Sequence, residues 1–421
     1  MKSRVLTLLP LLVVHSLLIV LFSDPGLIGD EIRYIKYAGN LSHGFYTDLS
    51  NPELTNGPGY PLLLVPLMAL GIPLSAMVWL NIVFLFFGVS YFYKSVRLFV
   101  SKNQSILYSY FLGLHPILLK WTGFLYTESL TLFVVCGFMY HFIKASESKE
   151  AQTRNFVLGS IYLGILSLTK VFIIYLIVLG FFGCAIYYLL KRYRLSLKMS
   201  LVFFGGFLIF LPYLLYCYSV TGKSFYFGTN GGEILYWSST PYPNEYGEWI
   251  GSTYVLGSEE DGEHQTGDYY SLEQLSANHR DFYSQAYSIQ NHVERDQFFR
   301  EKAWENIRSH PMKFAKNTLV GFFRLFFNYP NSYTPQKLTT FFYLVPNFIL
   351  VAALVLCVFA LYRVKGKIPE VIMLLGLFSL FYVAGMMLLV GRVRHLLSVL
   401  PMLLLFISYI LGRFVKVKLV R

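Results

Sequence analysis

The sequence predicts an all-α polytopic membrane protein of about ten transmembrane helices, with extracytoplasmic interfacial helices and a small extracytoplasmic lobe. Three observations predict it. Of 421 residues, 55% are hydrophobic and only 14% are charged, against roughly 25% charged in an ordinary soluble domain. Apolar runs near the roughly 20-residue length that crosses hydrocarbon recur along the chain, where a soluble core would interrupt them with polar faces. The Lys and Arg residues behind the net charge of +12 sit mostly in short connections between those runs, a pattern of membrane topology and not of nucleic-acid binding.

Taken in order, the spans fall at 5–22, 74–93, 105–119, 127–144, 156–169, 171–190, 199–218, 338–361, 369–390 and 396–412. Residues Met1 to Leu21 start with Lys2 and Arg4 and continue apolar. No small-x-small cleavage site follows, so an uncleaved signal anchor is expected rather than a cleaved signal peptide. Lys94, Arg97 and Lys102 share one side with Lys144, Lys149 and Arg154, with Lys191, Arg192, Arg194 and Lys198, with Arg363, Lys365 and Lys367, and with Arg413, Lys416, Lys418 and Arg421. The positive-inside rule makes that side, and both termini, cytoplasmic. Left outside are 23–73, the turn from Lys120 to Tyr126, and 219–337. The chain thus divides into a membrane region at 1–218 with a first outer loop, an outer lobe with surface helices at 219–337, and a second membrane region at 338–421.

Within the first loop, Asp30 to Leu41 spaces Ile32, Ile35 and Ala38 against Arg33 and Lys36 as an interfacial amphipathic helix would. Gly59 to Gly71 is apolar but short, and Pro61, Pro66 and Pro73 interrupt it, so a membrane-embedded re-entrant segment is expected. Thr221 to Gln290 is rich in Gly, Tyr, Ser, Asp and Glu and reads as an irregular polar lobe. From Val293 to Phe327 the pattern turns helical, with Phe298, Phe299, Ala303, Ile307, Phe314, Leu319 and Phe323 on an apolar side and a break at Pro311. The four cysteines, Cys136, Cys184, Cys217 and Cys357, all lie in apolar runs, which supports neither a disulfide framework nor a zinc site.

Candidate chemistry gathers at the outer face. Asp30 and Glu31 are adjacent carboxylates next to hydrocarbon, a costly placement that needs a function or a structural use. The structural alternative is helix capping and complementing the helix dipole, which needs one carboxylate and which Asp30 in particular could serve. Lys120, Lys170, Arg392 and Arg394 are cations at outer span ends, against the positive-inside preference. They suit a buried phosphate or pyrophosphate, or else snorkel to the surface or pair with a carboxylate such as Glu128. Glu128 itself faces outward at the start of a span and could bind a metal, orient a cation or contact a sugar hydroxyl. His264, His279, His292 and His310 lack metal-ligand spacing and read as surface residues.

The run Gly29-Asp30-Glu31 with Tyr34 and Ala38, followed by Asn56-Gly57-Pro58-Gly59-Tyr60-Pro61-Leu62, resembles the first outer loop of the GT-C glycosyltransferases. The protein O-mannosyltransferases and the lipid A aminoarabinose transferases are the types it is most similar to. Thr127-Glu128-Ser129-Leu130, Leu168-Thr169-Lys170, Ser309-His310-Pro311 and Arg392 to Pro401 extend the resemblance in order along the chain. These relatives often carry a Lys-Pro-Pro-Leu run where this chain has Gly57-Pro58-Gly59-Tyr60-Pro61, and many have a large C-terminal soluble domain.

The resemblance implies a GT-C-like bundle in a bacterial or archaeal plasma membrane. Its implied activity is inverting transfer of a sugar from a polyprenyl-phosphate donor to a hydroxyl of a lipid, glycan or protein acceptor. It makes Asp30 the general base, with Glu31 beside it, and Lys170, Arg392, Arg394 and Lys120 the phosphate-binding cations. Glu128, Tyr34, Tyr60 and His395 would contact substrate. No cofactor is required, a divalent cation is optional, and nucleic acid is no partner. A secondary transporter, a non-catalytic polyprenyl-lipid-binding subunit and a pyrophosphate-using O-antigen ligase or polymerase are the competing readings.

Overall fold

The computed structural model describes residues 6–23, 26–147, 152–191, 194–257, 272–333, 338–364, 368–389 and 391–414. Lys2, Arg4, Lys149, Arg192, Lys365, Lys367, Lys416, Lys418, Arg421 and the acidic stretch 258–271 with His264 lie outside the described residues. Every regular element among the described residues is helical.

Six helices are long and apolar enough to cross a membrane: Leu74–Val96, Glu128–Ser146, Ile173–Lys191, Leu197–Thr221, Thr339–Arg363 and Glu370–Leu388. Three shorter apolar helices, Leu6–Phe22, Gly59–Ala69 and Leu400–Phe414, accompany them. The windows 5–22 and 396–412 fall on two of these, and 156–169 falls on the helix Gln152–Thr169, which packs between Glu128–Glu147 and Arg194–Thr221. The window 105–119 is not one span. It divides into Lys102–Gly113 and Pro116–Trp121, because His115 before Pro116 is extended and its ring accepts the Ile117 amide, as the residue before proline prefers.

The connections run the long helices antiparallel. One end of the bundle collects Val96, Lys102, Gln152, Lys191, Glu370 and Phe414, and the other collects Glu128, Thr169, Ile173, Thr221, Leu388 and Leu400. Lys94, Arg97, Lys102, Arg154, Lys191 and Arg413 belong to the first end, and the loop and lobe cover the second.

In the first loop the helix Asp30–Ser42 buries Asp30, Glu31, Tyr34, Tyr37 and Ala38, one face of a 3.6-residue repeat. The sequence placed Ile32 and Ile35 on that face. Instead Ile32 is exposed and the tyrosines face inward, since Tyr34 packs on Tyr60 and Tyr37 on Tyr46. Gly59–Ala69 is a continuous helix with Pro66 inside it, so its prolines do not interrupt it as the sequence suggested. Only Pro66 removes an internal donor, and Pro61 sits in the first turn where the N–H has no helical partner.

Among its described residues the lobe is partly helical rather than irregular throughout. Its helices Gly231–Ser238, Ser252–Leu256 and Leu272–Ser288 close around a core of their own that includes Tyr236, Trp237, Val255, Tyr283 and Phe299. Buried hydroxyl, indole and carboxyl groups are paired there: Trp237 Nε1 donates to Tyr283 Oη at 2.6 Å, and Tyr283 Oη to Glu233 Oε1 at 3.0 Å. Glu245 accepts from Thr240, Asn278, His279 and Tyr333. His279, read from sequence as a surface residue, is therefore buried between Glu245 and Tyr236, while His310 is exposed. The helices His292–Ser309 and Pro311–Phe327 break at Pro311 as expected. Phe299 and Ala303 are buried, but Leu319 and Phe323 of the expected apolar side are exposed. All four cysteines are free and buried.

Gly57 carries the join between loop and bundle. A Cβ there would overlap the Leu168 carbonyl oxygen, so only glycine lets the loop lie against the end of the helix that leads into Lys170. Gly57→Ala is expected to lower stability by about 1–3 kcal/mol through overpacking, read as a lower melting temperature of the detergent-purified protein. An unchanged melting temperature would show that this join tolerates displacement.

Candidate active site

Two hollows bear charged residues at opposite ends of the bundle. The smaller, about 370 Å³, is lined by Arg97, Ser101, Gln104 and Arg413, with no carboxylate among the described residues that line it. The larger, about 890 Å³, lies between the first loop, the bundle end and the lobe. Asp30, Tyr34, Lys170, Arg392, Arg394 and His395 all line it.

Asp30 is held from two sides. One oxygen pairs with Arg33 on its own helix, and the other accepts from Arg394 Nη1 at 2.7 Å. Burial alone would raise its pKa, but Arg394, Arg33 and the nearby Lys170 outweigh that and hold the carboxyl below its ordinary value, so it is an anion. Its backbone geometry is equally fixed. Gly29 enters the helix at φ 55°, with Tyr126 Oη 2.7 Å from where a Cβ would stand; that oxygen accepts the Asp30 amide at 3.3 Å. A side chain at Gly29 would be strained and would collide with this contact.

Glu31 is used differently. Its two oxygens accept the Ile28 amide at 3.0 Å and the Leu125 amide at 2.6 Å, and it does not line the cavity. The capping role foreseen for Asp30 is filled by neither carboxylate: Asp30 faces the cavity, and Glu31 accepts amides outside the helix.

Arg394 lies beside the paired rings of Trp121 and Tyr126, at 6.0 and 5.9 Å from their centroids. Asp30, Glu128 and the Asp30 hydrogen bond overcome the effect of burial and strengthen its hold on its proton. Its Nε is buried without an acceptor among the described residues. Lys170 pairs with buried Glu128 at 3.3 Å, so Glu128 sits behind the cavity and orients a lining cation. Arg392 stacks on Trp249 at 5.0 Å and donates weakly to the Trp249 carbonyl oxygen at 3.4 Å. His395 is pushed well below its usual pKa by burial and by Arg394, Lys170 and Arg392, and is a neutral imidazole among cations. Tyr60 lies behind Tyr34. Lys120 is exposed, lies over the Trp121 ring at 5.0 Å and is outside the cavity lining.

Sequence reasoning missed several lining groups. Asn56 accepts Arg33 Nε at 3.1 Å and reaches the Tyr34 hydroxyl; its position before Gly57-Pro58-Gly59 was the available signal. From the lobe come Tyr226, Glu233, Trp249, Arg295 and Arg300, and His292, which the sequence placed on the surface. The lobe is fastened to the loop by Thr229 and Leu54, which exchange two 2.9 Å bonds, and by Asn51, which bonds Gln290 and His292. Among the described residues no three His, Cys, Asp or Glu side chains come together as a metal would need. Glu31 holds the Ile28 and Leu125 amides, and Glu128 holds Lys170.

No protein-family model and no curated protein sequence matches the chain. Solved structures do. The apo oligosaccharyltransferase of Archaeoglobus fulgidus superposes at TM-score 0.54 over 97% of this chain and 50% of its own, at 12% identity. AglB, the oligosaccharyltransferase of the same organism, solved with an inhibitory peptide and a dolichol-phosphate, gives 0.52 at 13% identity with the same coverage. The chain has a GT-C membrane fold. It spans about half the length of these structures. ArnT of Cupriavidus metallidurans aligns over 98% of the chain at TM-score 0.40, too loose an overlap to carry an argument. In this GT-C fold the cavity at the covered end of the bundle is the candidate active site.

Glu31→Ala is expected to leave the Leu125 amide buried and unpaired, costing about 1–3 kcal/mol and lowering the melting temperature. Glu31→Gln, which keeps an acceptor, should recover much of it. Equal losses in the two variants would contradict an anchoring role.

Proposed function

We propose that the protein is an inverting membrane glycosyltransferase that moves a sugar from a polyprenyl-phosphate carrier to an acceptor hydroxyl at the outer end of the bundle. The observation that carries the reading is one ionised carboxylate, Asp30, facing a cavity whose other lining groups include Lys170, Arg392 and Arg394, in a chain with a GT-C fold. The sidedness rests on the basic residues at the opposite bundle end and the positive-inside rule; it makes both termini cytoplasmic.

The chemistry follows from the charges. The acceptor oxygen attacks the anomeric carbon while Asp30 takes the hydroxyl proton. The bond from that carbon to the phosphate oxygen breaks, its electron pair stays with the phosphate, and the products are the glycosylated acceptor and polyprenyl phosphate. Lys170, Arg392 and Arg394 stabilise the charge gathering on the leaving phosphate in a low-dielectric site, and the prenyl chain remains in hydrocarbon. Tyr34 and the neutral His395 contact substrate, with Tyr60, Glu128 and Glu31 supporting them from behind.

Arg394 couples the two halves. Clamped by Arg394 and Arg33, Asp30 is a weak base. A donor phosphate that draws Arg394 toward itself removes the foremost cation acting on Asp30, so the carboxylate gains basicity as the donor loads. The buried Nε of Arg394, without an acceptor among the described residues, suits this second partner.

The test is transfer of radiolabelled sugar from a panel of undecaprenyl-phosphate sugars to native membrane extract. Asp30→Asn is expected to fold and insert but to lose transfer by at least about a hundredfold, whereas Lys170→Ala and Arg394→Ala chiefly raise the donor KM. Retained turnover in Asp30→Asn would remove the base assignment. In kcat/KM for the acceptor with donor limiting, the acid limb reports Asp30 in the free enzyme, where Arg394 lowers its pKa. Arg394→Gln should therefore move that limb to higher pH, and an unmoved limb would contradict the coupling.

A further inference from the structure

The cavity's cations do not all belong to one anion. Arg33 and Arg394 share Asp30, and Lys170 pairs with Glu128. Those cations and Arg392 face the loop and bundle walls, where a single phosphodiester charge is to be held. Two more cations enter from the lobe wall, on the helix His292–Ser309. Arg300 pairs with Asp296 at 2.9 Å, and Asp296 is already occupied by the Tyr226 hydroxyl at 2.8 Å and the Gly232 amide at 2.5 Å. Arg295 has no carboxylate partner among the described residues. It lies over the Tyr287 ring at 4.7 Å and bonds only the Ile289 carbonyl oxygen and the His292 ring.

The remaining lobe carboxylate on the cavity wall, Glu233, is close enough to feel the charge of Arg295 but makes no ion pair with it. Glu233 accepts from Tyr283 and Tyr287, and burial raises its pKa. An arginine fixed by ring stacking, half-buried in a concave wall and short of an anion presents its planar donors to whatever enters. The same wall carries Asn230 and Glu233, which suit sugar hydroxyls, among the aromatic side chains of Tyr226, Tyr287 and Trp249.

We propose that the lobe wall is an acceptor subsite for a sugar that carries its own phosphate or carboxylate, read by Arg295 with Arg300 beside it. This rests on the glycosyltransferase reading, with the donor phosphate at Lys170, Arg392 and Arg394. The ligand then places one anionic group at each wall and its reacting hydroxyl between them, near Asp30. Arg300 is tied into the Asp296 hub that holds the Gly231–Ser238 helix, so Arg295 is the residue to change.

Calorimetric titration of the purified protein in lipid nanodiscs decides it, with glucose 6-phosphate and glucose as probes and undecaprenyl phosphate titrated in parallel. Glucose 6-phosphate is expected to bind at least roughly tenfold more tightly than glucose, the worth of one charge-assisted contact. Arg295→Gln should erase that difference, Arg295→Lys should keep part of it, and both should bind undecaprenyl phosphate as the wild type does. Saturating undecaprenyl-phosphate glucose, a donor with a neutral sugar, should leave glucose 6-phosphate binding in place. Equal affinity for the two sugars, or a preference untouched in Arg295→Gln, overturns the proposal. Displacement of glucose 6-phosphate by undecaprenyl-phosphate glucose overturns it too, by assigning the wall to the donor's sugar. Wild-type protein that binds glucose 6-phosphate through Arg295 but no undecaprenyl phosphate would count against the donor reading alone.

Discussion

A carboxylate held between two guanidinium groups at a membrane edge is the constraint that the rest of the molecule serves. Asp30 sits among aromatic rings and helix ends where an unpaired charge would be costly. Arg33 from its own helix and Arg394 from before the last helix make its ionised state tenable. Because the two arginines come from opposite ends of the chain, the site exists only when the bundle has closed. Its remaining features follow from that closure: Gly29 turns the chain so that the Asp30 amide meets Tyr126, and Tyr126 with Trp121 forms the aromatic pair beside which Arg394 lies.

The adjacent carboxylates show how environment divides chemically similar groups. One helix position apart, Glu31 faces backbone amides and is fully occupied, whereas Asp30 faces cations and open space. The same division holds for the cations. Lys170 is steered by Glu128 from behind, Arg392 rests on an indole, and Lys120 lies outside the cavity lining. Sharing an outer face therefore does not make residues members of one site; the helix phase and the second partner of each side chain decide it.

Much of this was legible in the sequence, and the limits have physical causes. Of the ten expected spans, length and hydropathy placed six on helices long and apolar enough to cross a membrane among the described residues, because hydrocarbon thickness sets a sharp length scale. They failed at 105–119, where Pro116 divides a run whose mean hydropathy stays high. Asp30, Lys170, Arg392 and Arg394 stood out because charge beside hydrocarbon is expensive. The lobe was misjudged because its core is aromatic: Tyr236, Tyr283 and Trp237 are buried with their polar atoms paired, and composition alone counts such residues toward a polar surface. Arg295 and Arg300 were invisible for a related reason, since arginines on an amphipathic surface helix look the same whether they face solvent or a cavity.

The central claim is that the Asp30 end of the bundle, and not the opposite end, receives the phosphate of a polyprenyl carrier. A structure of the protein in lipid with undecaprenyl phosphate tests it most directly. The account predicts phosphate density in contact with Lys170, Arg392 and Arg394 and Arg394 turned from Asp30 toward it. Phosphate density in the hollow lined by Arg97 and Arg413, with the Asp30–Arg394 pair unchanged, would contradict it.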